Sequence, residues 1–415
     1  MIGPPAPAAF AARLLKVLAV AIFVVASELA GSRAAYAQSA TESWRATERS
    51  ARGQEVYFNA WAGDVAINRY IAWAAREVER RYGVKLIHVK VADTSEAVTR
   101  ILAERAAGRT ARGSIDLIWI NGENFASLKT SHLLYGPWAE EVPNARLLDR
   151  SDPTLTVDAT IATQGYELPW GRARFTLFYD ALAVGDEPPD DPKALLEWIR
   201  AHPGRFTYPQ PPDFIGSSFL KQLLLLLTPS REPLREPVAD DFETLTRPLW
   251  NWLDDAHPYL WRSGRIFPRS LSEQRRLLGD GEVDWMLSFN PSEAARAIAQ
   301  GELPDSIRGT RFRTGAMSNS HFLAIPFNAR AKEGAVVVAN FLISPEAQAR
   351  KADVARWGDP TVVEIARLSD AQRRLFPSAD RSSARLPADS RRLQEPHPSW
   401  TQALERAWAQ RYGAR

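Results

Sequence analysis

Histidines and adjacent carboxylates are the side chains of this sequence whose chemistry could support catalysis or metal binding. None of the six histidines has the H-E-x-x-H spacing that places two zinc ligands on one helix face. The pairs Asp190–Asp191, Asp240–Asp241 and Asp254–Asp255 lie in polar stretches, whereas general acid–base catalysis needs carboxyls in distinct, partly buried environments. The sequence also lacks a G-x-S-x-G motif, a Walker P-loop and a G-x-G-x-x-G loop. We therefore expect no catalytic residue, no metal site and no cofactor.

The composition narrows the class of protein further. There is no cysteine, which excludes disulfides, thiol catalysis and cysteine-ligated zinc. The 415 residues are 45% hydrophobic, enough for two domains with their own cores. Lys and Arg number 52 against 49 Asp and Glu, and this balance argues against nucleic acid or a membrane surface as the partner.

Polar, small and aromatic residues at predicted strand ends and helix starts offer binding chemistry instead. Helix N-termini present free N–H groups, and glycine lets the backbone approach a ligand closely. From the first half of the fold the candidates are Asn59, Trp61, Gly63, Asp64, Thr94, Asn121, Gly122 and Asn124. From the second half and the connections they are Trp170, Gly171, Asp213, Phe214, Gly216, Ser217, Ser218, Asn290 and Ser320.

Four of these candidates indicate the charge of a ligand. Trp61 and Phe214 could sandwich a flat or cationic group, and Asp64 and Asp213 could pair with a cation. We hypothesise a polyamine-like or thiamine-like solute rather than a simple anion. Turn formation, helix capping and packing between domains explain the same residue types, so these alternatives stay open.

The elements that must position these residues alternate between strands and helices. Val56–Asn59, Val84–Val91 and Ile115–Ile120 are predicted strands, each followed by a helical pattern. Such alternation predicts a parallel sheet, whose ligands bind beyond the carboxyl ends of the strands. A second β/α series follows Phe175–Tyr179, and Asn319–Pro326 is predicted to return to the first domain.

The N-terminus has the pattern of an export signal. Arg13 and Lys16 precede an apolar run over Val17–Ala26, too short to span a membrane, and Ala35–Ala37 offers an A-x-A cleavage site. We expect residues 1–37 to be removed and the mature protein to be periplasmic.

Several stretches resemble the extracellular solute-binding proteins of ABC importers, in particular the YnjB-type family. The resemblance rests on motifs that occur in a fixed order: VYFNAW with Gly63–Asp64, Ile115–Asn124 (IDLIWINGEN), Leu133–Pro137, Pro169–Phe175 (PWGRARF), His202–Phe219 (HPGRFTYPQPPDFIGSSF) and Phe341–Gln348 (FLISPEAQ).

The resemblance implies an α/β type II periplasmic-binding fold with two lobes, hinge crossover strands and no enzymatic activity. We place the first part of lobe 1 at 38–170, lobe 2 at 171–318, the return to lobe 1 at 319–365 and a helical extension outside the lobes at 366–415. The family also implies capture of a small polar solute by a monomer, with an ABC permease and ATPase as partners. A ligand-sensing receptor and a periplasmic hydrolase stay open as alternatives.

Overall fold

Strands in the computed structural model, which describes residues 41–377 and 391–413, form two main sheets. In chain order the strands are β1 (Glu55–Trp61), β2 (Lys85–Val91), β3 (Leu117–Ile120), β4 (Val157–Asp158), β5 (Ile161–Ala162), β6 (Glu167–Arg174), β7 (Thr176–Asp180), β8 (Trp285–Ser288), β9 (Ile307–Thr310), β10 (Ala316–Ala324) and β11 (Arg392–Leu393). The predicted signal segment 1–37 lies outside the described residues.

Helices cover both sheets. They are α1 (41–51), α2 (Val65–Tyr82), α3 (Thr94–Ala106), α4 (Gly122–Thr130), α5 (Ala181–Val184), α6 (Pro192–Ala201), α7 (Phe214–Leu227), α8 (Phe242–Ala256), α9 (Leu271–Gly279), α10 (Glu293–Ala299), α11 (Lys332–Leu342), α12 (Pro345–Ala352), α13 (Asp370–Arg373) and α14 (Ser399–Tyr412). Short 3₁₀ turns connect several of them.

The first sheet sets the positions of the predicted binding residues in the first lobe. Strands β2, β1 and β3 are parallel neighbours, and β10 runs antiparallel beside β3. Val56, Phe58 and Ile118 are fully buried, as expected for strands covered by helices on both faces. The carboxyl ends of these strands, and the helix starts that follow them, therefore meet at one edge of the sheet.

Strands β6 and β10 connect the two lobes. They pair antiparallel from Ser318 opposite Arg174 to Ala324 opposite Glu167. Only Phe175 separates the end of β6 from the start of β7 in the second sheet. Strand β10 returns the chain from the second lobe to the first. This pair occupies the place predicted for the hinge crossover, and the fold is the expected two-lobed α/β type. The residue-level domain boundaries stay a prediction.

The second sheet is smaller and entirely antiparallel, in the order β8-β7-β9. Helices α7 and α9 pack against it, and α7 is apolar around most of its circumference and has eleven buried residues. A helix with that composition belongs inside a lobe rather than on its surface. Phe219 at the middle of α7 stacks on Phe175 and lies beside Phe206 and Tyr208.

The C-terminal segment 391–413 packs into the second lobe, so the expectation that it lies outside the lobes is wrong. Trp400, Leu404 and Trp408 follow one another at helical spacing and each is about 1% exposed. The Trp408 Nε1–H donates to the Tyr208 hydroxyl at 2.8 Å. Burying three large side chains of one helix face fixes α14 against the lobe.

Three further segments complete the two lobes. Residues 41–51 form α1 ahead of the first strand. Phe206–Tyr208 is irregular rather than a strand, because its rings pack on α7 without a neighbouring strand to pair with. Strand β6 extends through Pro169, Trp170 and Gly171.

Candidate functional site

Asp64 makes the first charged contact between the lobes. One of its oxygens accepts from the N–H of Ala66 at 2.6 Å, because the first N–H groups of α2 have no partner inside the helix. The other accepts from Arg296 Nη2 of the second lobe, also at 2.6 Å. Asp64 is 8% exposed and Arg296 2%. The charge of Asp64 is therefore neutralised by the protein, and this geometry does not support its predicted pairing with a solute.

Asp64 and Arg296 belong to a group that we call the interlobe ion cluster, completed by Arg275 and Glu293. Arg296 Nη2 lies 2.8 Å from Glu293 Oε1, and Arg275 Nη1 lies 3.7 Å from Asp64 Oδ2. Arg275 also pairs directly with Glu293. Arg275 Nε also lies 3.2 Å from Oε2 of the more exposed Glu302, so every carboxylate here has a guanidinium partner at a site where the lobes meet.

Trp61 and Gly63 lie at the same contact between the lobes as Asp64. The Trp61 indole lies over Gly63, where an added Cβ would come within 2.3 Å of Trp61 Cζ2. The Gly63 carbonyl accepts a hydrogen bond from the Ser272 hydroxyl of the second lobe at 3.3 Å. Both residues therefore shape the lobe contact, and the small size of Gly63 is what lets the indole fold back.

A second charged group forms where the N-termini of α3 and α4 face α7 and the C-terminal segment. We call it the acidic cleft; its members are Asp93, Glu123, Asp158, Asp213, Lys221, Glu395 and Glu405. Six of them are acids and one is a lysine.

Asp213 marks the second-lobe side of the acidic cleft. As N-cap of α7 it accepts from the N–H of Ile215 at 2.9 Å and of Gly216 at 3.3 Å. Burial raises its pKa to about 6, and the negative charge of Asp93 across the cleft acts in the same direction. A capping carboxylate with a raised pKa is short of positive partners, since its two N–H bonds favour ionisation.

Glu123 marks the first-lobe side. Burial raises its pKa, with further contributions from Glu395 and Asp93, and the ammonium of Lys221 is the strongest influence in the opposite direction. Lys221 itself is 4% exposed. Although burial opposes its charge, Glu395 and Glu123 raise the pKa of Lys221, so it stays an ammonium among carboxyls.

Asp158 and Gly122 are hydrogen-bonded to each other within the acidic cleft. The Gly122 N–H donates to Asp158 Oδ2 at 2.6 Å. Burial raises the pKa of Asp158 well above its ordinary value, and Glu395 and Glu123 add to the effect. Gly122 has φ +58° and open space where a Cβ would be, so glycine is needed here for the backbone conformation rather than for lack of room.

Ser217 and Ser218 lie on the first turn of α7. The Ser217 hydroxyl donates to Glu405 Oε1 at 2.6 Å. Ser218 is fully buried, and its hydroxyl has no hydrogen-bond partner among the described residues. Ser217 thus contacts the acidic cleft through Glu405, and neither serine caps α7, a role that Asp213 fills.

Phe214 and Gly216 differ in what surrounds them. Phe214 is 39% exposed, with its ring 5.3 Å from that of Phe289, and so keeps an open aromatic face beside Asp213. A Cβ on Gly216 would come within 2.1 Å of the Pro209 carbonyl oxygen. Gly216 is therefore required for close packing of α7 on a loop.

Four first-lobe candidates lie at the sheet edge. Asn59 is buried in β1, and its Oδ1 has no partner among the described residues. The Thr94 hydroxyl donates to the Trp119 carbonyl at 3.2 Å. Asn121 is the N-cap of α4 without a capping bond from its side chain, and Asn124 lies half-buried on the same helix.

Trp170 and Gly171 lie inside the first lobe. Trp170 is fully buried and its ring contacts those of Phe58, Trp119 and Trp357. A Cβ on Gly171 would come within 2.3 Å of Asp359. Both residues therefore serve core packing beside the hinge strands and not the acidic cleft.

Asn290 and Ser320 lie near the crossover. The Asn290 Nδ2–H donates to the Trp357 carbonyl at 3.5 Å, and its Oδ1 accepts from the Ser292 N–H at 2.9 Å. The buried Ser320 hydroxyl donates to the Thr154 hydroxyl at 3.3 Å. These contacts link the lobes near β10 without entering the acidic cleft.

Six residues of the acidic cleft were missed from the sequence: Asp93, Glu123, Asp158, Lys221, Glu395 and Glu405. Lys221 gave a usable signal, since a lone ammonium in the apolar run of α7 is unusual. Glu123 lies within the predicted stretch Asn121–Asn124. Nothing local to Glu395 or Glu405 marks them, because their position depends on how the C-terminal segment packs.

No group of His, Asp and Glu in residues 41–377 and 391–413 could hold a metal ion. The helices of the same part of the chain include none long and apolar enough to cross a membrane.

Comparisons with known proteins agree with this architecture. A family model described as bacterial extracellular solute-binding protein matches residues 73–371. Protein YnjB of Escherichia coli (strain K12) is 48% identical over 372 residues, covering 89% of this chain and 94% of that protein. The spermidine/putrescine ABC transporter substrate-binding protein PotD of Streptococcus pneumoniae is similar in structure, with a TM-score of 0.57, 14% identity and coverage of 86% and 98%. The periplasmic binding protein AfuA of Actinobacillus pleuropneumoniae, solved with fructose-6-phosphate, has a TM-score of 0.61, 12% identity and coverage of 87% and 99%.

Proposed function

Because the chain belongs to the bacterial extracellular solute-binding proteins, we propose that it captures a small cationic solute in the acidic cleft between its lobes. The family supplies the solute-binding component of ABC transporters and is not enzymatic. This confirms the predicted family and the absence of an enzyme function, and it removes the hydrolase alternative.

The excess of carboxyl groups in the acidic cleft is the observation that carries the proposal. Lys221 forms its ion pair with Glu395 at 3.0 Å, which leaves the other five acids without a cation of their own in the group. Burial raises the pKa of Glu123, Asp158, Asp213 and Glu405. A bound cation would stabilise their ionised forms, whereas a phosphate or carboxylate would meet repulsion.

The fold alone does not choose the charge of the solute. The structurally similar PotD is named for spermidine and putrescine, and AfuA was solved with the anionic fructose-6-phosphate. Specificity in such a fold depends on the side chains of the site. The acidic cleft favours the amine over the phosphate, and Phe214 adds an exposed ring on which a cation can rest.

Carboxylates from both lobes explain how binding would favour the closed form. Glu123 belongs to α4 of the first lobe and Asp213 to α7 of the second. A cation between them is attracted by both, so its affinity for the closed form exceeds that for an open one. The interlobe ion cluster would add solute-independent attraction at another place on the interface.

Location and partners follow from the family. Its members act outside the cytoplasm. Cleavage of residues 1–37, action as a monomer and delivery to a permease with its ATPase are our proposals for this chain.

Isothermal titration calorimetry tests the proposal. The mature protein should bind spermidine, putrescine or thiamine with micromolar or lower Kd, and should give no heat with fructose-6-phosphate. Tight binding of the phosphate, with no binding of the three cations, would reject a cationic solute.

A further inference from the structure

The C-terminal segment 391–413 contacts both lobes and not only the one in which α14 is buried. Arg392 pairs with Asp152 of the first lobe, and the Gln394 Nε2–H donates to the Ala159 carbonyl at 2.6 Å. The His397 N–H donates to the Leu234 carbonyl of the second lobe at 2.7 Å. The residues between these contacts pass along the acidic cleft.

The C-terminal segment places two carboxylates, those of Glu395 and Glu405, in the acidic cleft. Glu395 is 4% exposed and accepts from Lys221 Nζ at 3.0 Å and from Asn319 Nδ2. Glu405 is partly buried and accepts from Ser217 at 2.6 Å. Burial raises the pKa of Glu405, and the negative charges of Glu123 and Asp93 raise it further. Glu405 therefore faces acids of the opposite lobe.

Asn319 gives this region a buried acceptor that the described residues leave unused. Asn319 is 6% exposed, and its Oδ1 has no partner among the described residues. Its Nδ2 is oriented by Glu395, so the unused atom is the oxygen. A buried acceptor without a donor is costly, and a ligand with N–H groups would supply that donor.

We infer that the C-terminal segment completes the solute site, with Glu405 as a carboxylate that contacts the positive group of the solute and Asn319 Oδ1 as a neighbouring acceptor. The inference rests on the proposed function, which supplies the cation. It assigns a binding role to a helix whose other visible role is packing.

A purely structural Glu405 would behave differently. If its purpose were only the bond to Ser217, replacing it by Gln would leave the affinity for an amine unchanged, whatever the effect on stability. If it is a site carboxylate held among other acids, the neutral Gln removes repulsion. Because the folded-state pKa of Glu405 is raised, its ionised form costs stability at neutral pH, and Glu405→Gln should recover it.

The experiment compares wild type, Glu405→Gln and the control Glu243→Gln by calorimetry with spermidine, putrescine and thiamine and by thermal unfolding at pH 7.5. Glu243 also touches α14, through an exposed pair with Arg411 at 3.4 Å, and so matches the charge change outside the cleft. We expect Glu405→Gln to weaken amine binding by about tenfold to a hundredfold and to raise the Tm, with neither effect in the control.

The outcomes separate the inference from the proposed function. Amine binding by the wild type that is equally tight in Glu405→Gln would overturn the inference and leave the cationic solute standing. Failure of all three amines to bind the wild type would reject the cationic solute. In that case the role of Glu405 falls with the cation, whatever the Tm of Glu405→Gln.

Discussion

The interlobe ion cluster and the acidic cleft both place charges of one lobe against the other, but their balance differs. In the ion cluster, Asp64 and Glu293 face Arg275 and Arg296, and each charge has an opposite partner. In the acidic cleft, Lys221 is a single cation among six acids. A group of paired opposite charges can hold two surfaces together by itself, whereas a group with excess negative charge needs a cation from outside the protein.

The difference also separates residues that look alike in sequence. Asp64 and Asp213 are both N-caps whose carboxylates accept from the first N–H groups of the following helix. Arg296 neutralises the first, while burial and Asp93 raise the pKa of the second to about 6. Capping explains why an aspartate occurs at each position, and the surroundings decide which carboxylate is available to a solute.

Breaking the balanced cluster should have the largest effect on stability. Arg296→Ala would leave Arg275 as the one guanidinium beside the buried Asp64 and Glu293 in the interlobe ion cluster, and we expect it to lower the free energy of unfolding by about 3–5 kcal/mol. Arg313→Ala is the control, since Arg313 pairs with Asp191 in an exposed position, and should cost about 1 kcal/mol or less. Urea denaturation measures both.

If Arg296→Ala does not fold, Asp64→Asn serves instead. Asparagine keeps the cap of α2 and removes only the charge. Equal stability losses for the buried and the exposed pair would show that the cluster does not hold the lobes.

Neutralising the unbalanced cleft should affect binding rather than stability. Glu123→Gln removes a first-lobe carboxylate, and we expect affinity for the bound amine to fall by about tenfold to a hundredfold. Stability should be kept or raised, because burial raises the pKa of Glu123 in the folded state. Glu79→Gln on exposed α2 surface is the control, and calorimetry with thermal unfolding reads both quantities. A large stability loss without weaker binding would place Glu123 in the scaffold.

Lowering the pH should change binding and stability in opposite directions. Between pH 7.5 and 5, protonation of Asp213, with its pKa of about 6, removes an anion from the cleft. Cation affinity should then fall, by about tenfold for this one group. A raised folded-state pKa means that the folded protein binds protons more tightly than the unfolded chain, so the Asp213 contribution to stability increases over the same range. Asp213→Asn should flatten the binding profile, and a flat wild-type profile would contradict the assignment.

The sequence predicted the framework of the fold well because its signals are local. Strand runs such as Ile115–Ile120 depend on neighbours within one element, and the structure confirms this strand over Leu117–Ile120. The spacing of Trp400, Leu404 and Trp408 would also have predicted a packed helix face, had it been used.

The site was predicted less completely because it depends on distant contacts. Glu405 meets Ser217 across 188 positions of the chain, and no local pattern encodes such a contact. Trp170 was chosen for its place before the hinge, but its buried ring contacts three other aromatic rings and contributes to packing. Charge balance, which separates Asp64 from Asp213, is visible only once the lobes are assembled.

Native mass spectrometry of the protein released gently from the periplasm tests the central claim most directly. We expect the mature chain to carry the mass of a small amine at pH 7.5, and the same preparation to lose it at pH 5 and in Glu123→Gln. A retained sugar phosphate or other anion, unaffected by Glu123→Gln, would contradict the claim that the unbalanced acidic cleft binds a cation.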